Sequence, residues 1–157
     1  MITYKQGNLL ADEASALVNT VNMMGVMGKG IALQFKKEFP WNYRVYVDAC
    51  QGGLVGIGKL LLMDDTSENY GEKLIINFAT KIHWAKPSEY YFIEAGLKAL
   101  VICIHDHTIK SIAIPALGCG NGGLDCNIVK PMIEKYLAPL DLIVNIYEPQ
   151  LPAYENN

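Results

Sequence analysis

This sequence is most quickly bounded by what it lacks. It contains no apolar run approaching the length of a membrane span, and Met1-Ile2-Thr3 opens a strand rather than a signal peptide. Its cysteines, Cys50, Cys103, Cys119 and Cys126, have no CxxC spacing and sit in apolar or glycine-rich surroundings. That pattern favours free thiols in a reducing cytoplasm over disulfides or a zinc site. Positive charge is not in excess: 13 basic against 16 acidic side chains leave a net −3, so no field over the whole molecule draws nucleic acid or anionic membrane. Any contact with DNA or RNA is thereby confined to a local site. Neither GxxxxGK[ST] nor GxGxxG is completed, which argues against a nucleoside-triphosphate or redox-dinucleotide fold. No pair of carboxylates flanks a glycine loop; the one acid beside such a loop, Asp125, reads as a helix cap. Cleavage of a sugar bond here would need a lysine, or water positioned by the substrate. His105-Asp106-His107 resembles a metal tract but closes a helix, where imidazolium is favourable and solvated.

Two glycine-rich stretches are present, Asn22-Met-Met-Gly-Val-Met-Gly-Lys-Gly30 and Gly118-Cys-Gly-Asn-Gly-Gly123. Each follows a short apolar run and leads into a helical pattern. Glycine lets consecutive backbone N–H groups turn toward one point, and a helix N-terminus behind them adds partial positive charge. Built twice, that arrangement grips a diphosphate without a cationic side chain or a metal.

With 157 residues, 51% of them hydrophobic, the chain has enough interior for one domain. Strands are expected at Ile2–Lys5, Ala16–Val21, Lys59–Asp64, Lys73–Ala79, Ile109–Pro115 and Asp141–Tyr147. Ala11–Ser15 reads as a helical turn. The first helix carries Ile31, Ala32, Phe35 and Phe39 on one face and stops at Pro40; the second has Trp41, Val45 and Ala49 in line and ends at Gly52-Gly53. The longest starts at Pro87-Ser88 with Ser88 as cap and buries Ile93, Leu97, Leu100, Val101 and Ile104; the last spans about Asn127–Leu137. Alternation of strands and helices predicts an α/β sheet covered on both faces, and one strand–strand neighbour pair makes it mixed. Ligands on such sheets sit at the carboxyl ends of the strands, where both glycine loops fall.

Three polar side chains share that edge. Asn22, at a strand exit, suits a ribose hydroxyl or a turn of its own backbone. Lys81, just beyond a buried strand, is either an ordinary exposed lysine or a nucleophile toward an anomeric carbon. Asn8, after the first strand, either reads a base edge or shapes a turn. Trp84, Tyr90 and Tyr91 offer a stacking wall or helix packing. Cys119, with no histidine beside it in sequence, reads as a small residue whose backbone faces phosphate.

Ala16-Leu-Val-Asn-Thr-Val-Asn22, Gly28-Lys-Gly-Ile-Ala-Leu-Gln-Phe-Lys36, Asn77-Phe-Ala-Thr-Lys81 and Pro115-Ala-Leu-Gly-Cys-Gly-Asn-Gly-Gly-Leu-Asp125 together resemble a macrodomain. The branch they are most similar to is that of the DNA ADP-ribosyl glycohydrolases, the antitoxins paired with DarT-like toxins, and of the terminal ADP-ribose protein glycohydrolases. The resemblance implies a three-layer α/β/α fold over residues 1–149, with a mostly parallel sheet of about six strands, and a short polar tail at 150–157. It implies an ADP-ribosyl glycohydrolase with no cofactor and no metal. Lys81 would attack the distal ribose C1″ and Asn22 would position that ribose. Diphosphate and distal ribose would lie on Gly25, Val26, Met27, Gly28, Lys29, Gly30 and Ile31 and on Gly118, Cys119, Gly120, Asn121, Gly122 and Gly123. Asn8, where many macrodomains carry an aspartate, would meet the adenine amino group; Leu9, Asn19 and Thr80 would complete the pocket, and His83 and Trp84 would form its substrate side. Relatives often have an aromatic where Cys126 stands, which alters that wall. The implied partners are ADP-ribose, an ADP-ribosylated substrate, single-stranded DNA at the site only and a DarT-like toxin. A non-catalytic ADP-ribose reader and a hydrolase of protein-linked or small-molecule derivatives remain alternatives. Such antitoxins usually carry a toxin-binding domain after the macrodomain, so a piece of a longer antitoxin and a stand-alone hydrolase both stay open.

Overall fold

The computed structural model describes residues 1–149; the tail expected at 150–157 lies outside the described residues. In chain order the elements are β1 (Ile2–Lys5), a 3-10 turn (Leu9–Ala11), β2 (Ala16–Asn22), α1 (Gly30–Glu38), α2 (Pro40–Gln51), β3 (Leu61–Ser67) and β4 (Gly71–Lys81). They continue with α3 (Tyr90–Asp106), β5 (Ser111–Pro115), a second 3-10 turn (Gly120–Gly122), α4 (Cys126–Leu137) and β6 (Ile143–Tyr147). The strands form one six-stranded sheet in the order β1-β6-β5-β2-β4-β3. Every neighbouring pair is parallel except the β3–β4 hairpin. The mixed, mostly parallel sheet expected from the alternation of elements is thus the one observed.

The two-residue period of the strands sorts the core. Ala16 and Val18 of β2, Ile76 and Phe78 of β4, Ile112 and Ile114 of β5 and Val144 and Ile146 of β6 face one layer. There they pack with Ile93, Leu97, Leu100 and Ile104 of α3 and Val129, Ile133 and Leu137 of α4. The alternate residues Leu17, Ile75 and Ala113 meet Phe35 and Phe39 from α1 and its end, while Val21 and Ala79 meet Tyr46 and Ala49 of α2. Gly96 lets α3 lie flat on the sheet: a Cβ there would stand 2.1 Å from Cζ of Phe78.

Several local expectations shift. The stripe α2 buries is Asn42, Tyr46 and Ala49, one position along from the apolar series Trp41, Val45 and Ala49; Trp41 is exposed. A polar residue takes the inner position because Asn42 and Asn77 exchange side-chain amide hydrogen bonds of 3.2 and 2.8 Å, satisfying both in the core. Pro40 does not merely stop α1; it opens α2 at the first helical position, where its missing N–H costs nothing. The turn expected at Ala11–Ser15 falls earlier, at Leu9–Ala11, because Asn8 caps it: Leu10 N donates to Asn8 Oδ1 at 3.1 Å. Among the described residues, no helix is long and apolar enough to cross a membrane.

Candidate functional site

A cleft of about 760 Å³ opens at the carboxyl ends of β2, β4 and β5, lined by both glycine loops, Asn8, Asn22 and Lys81. Parallel pairing of β2 with β4 makes Asn22 and Lys81 cross-strand partners at the last rung, after a register shift between Val21 and Asn22. Two residues separated widely in sequence therefore sit side by side at the mouth. Lys81 Nζ donates to the Trp84 carbonyl at 3.3 Å, folded back over the turn that follows its strand.

The first loop is organised by Asn22. Its Oδ1 accepts from Met24 N at 3.0 Å, from Val26 N at 3.4 Å and from the Tyr46 hydroxyl at 3.1 Å, while its Nδ2 donates to Val26 O at 2.7 Å. The Tyr46 hydroxyl also reaches Asn22 O at 2.7 Å. Burial pushes this tyrosine's pKa far up, so it stays a protonated donor. The two sequence-level readings of Asn22, turn former and site residue, are both occupied: it lines the cleft and most of its carboxamide is spent on the loop. Behind the loop, α1 begins at Gly30 with no side chain capping its N-terminus.

The second loop is held from behind. Gly118 (φ +73°), Gly120 (φ +70°) and Gly123 (φ +79°) take the left-handed backbone that glycine alone adopts without strain. Leu124 N donates to Gly118 O at 3.0 Å and Ser88 N to Gly122 O at 2.9 Å. Ser88, expected as the cap of the long helix, does something else: its hydroxyl donates to Thr80 O. Buried there, it ties the end of the strand bearing Lys81 to the glycine loop, and the helix begins two residues later without a side-chain cap. Asp125 does cap α4, accepting from Asn127 N at 2.9 Å. Its carboxylate occupies that helix end and offsets the dipole of α4 there. The loops face each other: a Cβ on Gly30 would stand 3.6 Å from Asn121 Nδ2.

Cys119 and Cys126 form a disulfide pair across this loop, with Cα atoms 5.7 Å apart, whereas Cys50 and Cys103 are free. The expectation of four free thiols is corrected here. The loop folds back so that Cys119 and Leu124 bridge as parallel strands do, which carries Cys126 to its partner, an approach that sequence spacing does not announce.

Most of the expected ligand residues line the cleft: Asn8, Leu9, Val26, Gly28, Lys29, Gly30, Ile31, Thr80, Gly118, Cys119, Gly120, Asn121, Gly122 and Trp84. Five do not. Asn19 is fully buried beneath the floor, bonded through Nδ2 to Asn77 Oδ1 at 3.4 Å, because the strand alternation turns it inward. Met27 is buried against α2 and Gly25 packs on Cys50, so they support the first loop from below. Gly123 closes the 3-10 turn behind the second loop, and His83 accepts from Ala85 N at 3.0 Å within its own turn. Neither tyrosine of the expected stacking wall reaches the cleft: Tyr90 accepts from Asp125 N at 3.2 Å and Tyr91 packs edge-on against Phe92.

Sequence reading missed Tyr147, Glu148 and Pro149, which line the end of the cleft with Gly7 and Asn8. The Tyr147 hydroxyl donates to buried Asp12 Oδ2 at 2.6 Å, and Asn145 Nδ2 donates to the same carboxylate at 3.1 Å. Burial alone would raise the Asp12 pKa, but these bonds, that from Ala14 N and the nearby Lys5 ammonium outweigh it and hold the carboxyl below its usual range. Only the fold could reveal this end wall, since β6 is sequence-distant from β1 yet pairs beside it.

A doubly covered, mostly parallel sheet that aims two glycine loops into one cleft at the carboxyl ends of its strands defines an α/β domain of the kind that places its pocket there. Residues 18–133 match the model of the Macro domain family, and the chain belongs to that family. It is 48% identical over 150 residues to a DNA ADP-ribosyl glycohydrolase of Thermus aquaticus, covering 95% of this chain and 41% of the relative. A protein of the same description from Mycobacterium tuberculosis is 49% identical over 150 residues, covering 95% of this chain and 42% of the relative. The chain thus spans about two-fifths of the length of these relatives. The solved macrodomain of Mycobacterium tuberculosis DarG superposes with a TM-score of 0.91 at 48% identity, covering 96% of this chain and 99% of that one. Thermosipho africanus DarTG, solved in complex with ADP-ribose, gives a TM-score of 0.87 at 37% identity, covering 96% of this chain and 43% of that one.

Proposed function

We propose that this domain is an ADP-ribosyl glycohydrolase that removes ADP-ribose from a modified DNA base, with Lys81 as nucleophile. The observation that carries the reading is the register of β2 and β4, which sets Lys81 beside Asn22 at the mouth of a cleft walled by both glycine loops. Similarity of nearly half the aligned residues to DNA ADP-ribosyl glycohydrolases supports the reaction class, and the ADP-ribose complex of the Thermosipho relative supports the ligand.

In this mechanism the loop backbones hold the diphosphate, and Asn22 both shapes the first loop and offers its remaining N–H to the distal ribose. The Lys81 nitrogen attacks C1″; the bond from C1″ to the base breaks, the base leaves with that electron pair, and the proton shed by the lysine nitrogen is taken up by the base. Water then hydrolyses the Lys81–C1″ adduct, releasing ADP-ribose and restoring the amine. Orientation of a fully gripped ligand supplies much of the rate. Trp84, exposed at the rim beside Lys81, is the surface on which the departing base stacks. A toxin that ADP-ribosylates DNA, of the kind fused to the relative named as a transferase–glycohydrolase fusion protein from Thermosipho africanus, is the proposed source of the substrate. The proposed setting is the cytoplasm.

Lys81→Ala is expected to abolish release of ADP-ribose from modified single-stranded DNA while calorimetry still shows ADP-ribose binding. Borohydride should trap the Lys81–C1″ adduct in the native protein by reducing its ring-opened imine to a stable secondary amine. Native-rate turnover by the variant would overturn the lysine mechanism. Binding without turnover in the native protein would leave a reader, and release from modified protein or small esters but not from DNA would reassign the target.

A further inference from the structure

Asn8 lines the cleft at the end formed by Gly7, Tyr147, Glu148 and Pro149, and its two side-chain atoms can be told apart. Leu10 N is a fixed donor, so the atom 3.1 Å from it is the oxygen Oδ1; Nδ2 is then the atom 2.9 Å from the Tyr70 hydroxyl, whose oxygen accepts. Tyr70 comes from the turn between β3 and β4, 62 positions away in sequence. Its ring packs on the cluster of Leu9, Leu10, Leu17 and Phe35, which leaves the hydroxyl directed at Asn8. The turn itself is pinned: buried Ser67 Oγ accepts from Asn69 N at 3.1 Å and Tyr70 N at 3.2 Å, and donates to Glu38 Oε2 of α1 at 2.7 Å. A rigid hairpin end thus holds the carboxamide at a second point.

We propose that Tyr70 is a positioning residue that makes Asn8 a two-point reader of a 6-aminopurine, an inference that rests on the ADP-ribose reading above. With one N–H given to Tyr70 and one lone pair to Leu10, the carboxamide keeps one N–H and one acceptor site. That pair matches an exocyclic amino group next to a ring nitrogen acceptor. On the edge with N1 a 6-oxopurine presents O6 as acceptor beside N1–H as donor, the reverse order, which Asn8 could meet only by flipping; on the edge with N7 it presents two acceptors, and the amide keeps at most one contact. Leu10 N forbids the flip, because Nδ2 would then face a donor. Tyr70 removes the remaining freedom, the swing about a single anchor. An aspartate at this position would offer acceptors only, so the neutral amide adds a contact to the ring nitrogen that a carboxylate cannot make.

The test is calorimetry of the native protein, Tyr70→Phe, Asn8→Ala and the double variant with ADP-ribose and with inosine diphosphate ribose. The native protein is expected to prefer the adenine ligand. Tyr70→Phe should lower that preference about five-fold, the worth of one hydrogen bond, by weakening ADP-ribose binding while leaving the hypoxanthine ligand unchanged. In turnover the same loss should be carried by KM. Asn8→Ala should erase the preference, and adding Tyr70→Phe to it should change nothing further. Equal weakening toward both ligands, an unchanged preference, or additive losses would overturn the role of Tyr70 while ADP-ribose binding stands. A native protein that binds neither ligand would overturn this inference and the ADP-ribose reading together.

Discussion

The two glycine loops look alike in sequence and are held in opposite ways. The first is organised from within by one side chain, Asn22, with the Tyr46 hydroxyl behind it, and its glycines have room: added Cβ atoms at Gly25 and Gly28 would meet nothing closer than 3.7 and 3.5 Å. The second is organised by packing. A Cβ on Gly118 would stand 2.7 Å from Leu124 Cδ1 and 3.0 Å from Ser88 Oγ, and one on Gly122 would stand 3.1 Å from Ser88 Cβ. Gly28 and Gly30 of the first loop therefore face the cleft with room to spare, whereas glycine in the second loop also serves the interior. Ser88 makes that interior part of the site, because it bonds to both Thr80 O and Gly122 O. Through these two bonds the second loop is joined to the strand end that carries Lys81.

Three substitutions test this contrast. Gly118→Ala is expected to have the largest effect, about 2–4 kcal/mol of stability from a left-handed backbone carrying a Cβ into filled space, with ADP-ribose binding lost. Thermal melting and calorimetry would check both; a native melting temperature would show that the second loop yields as easily as the first. Asn22→Ala comes next. It leaves the N–H groups of Met24 and Val26 without their acceptor, costing about 1–3 kcal/mol, and weakens ADP-ribose binding by loosening the loop. Unchanged hydrogen exchange at Met24 and Val26 would contradict the role given to Asn22. The smallest effect on stability belongs to Gly28→Ala, within about 0.5 kcal/mol of native. Gly28 is exposed to the cleft at an ordinary φ, and its new methyl meets only Val26 Cγ1. Its binding of ADP-ribose should nonetheless fall about ten-fold, the worth of one backbone hydrogen bond to a charged group. Loss of stability without loss of binding at Gly28 would invert the comparison.

The parts legible in the sequence were those encoded over a few consecutive residues. Apolar runs bounded by glycine and proline located all six strands to within a few residues, and the stripe of Ile93, Leu97, Leu100 and Ile104 located the inner face of α3. Polar residues misled where their partners were distant. Asn42 is interior because Asn77 answers it, Ser88 bonds two carbonyls that belong to other segments, and Asn19 lies under the floor although it stands in the motif that names the family. Cys119 and Cys126 read as separate thiols because nothing local reports the fold of the loop between them.

Alternation, glycine placement and the short runs around Asn22, Lys81 and Gly118 were enough to determine the sheet class, the edge at which the cleft opens and the family, since strand period and left-handed turns depend on neighbouring residues alone. Tertiary structure alone decided that Lys81 stands beside Asn22, that Tyr70 holds Asn8, that Asp12 fixes Tyr147 at the end wall and that Ser88 joins strand to loop. Each of those depends on a hydrogen bond or strand register between segments far apart in the chain, for Ser88 the bond from its N–H to Gly122 O. Such partners are chosen by how the packed layers meet and not by any residue's near neighbours.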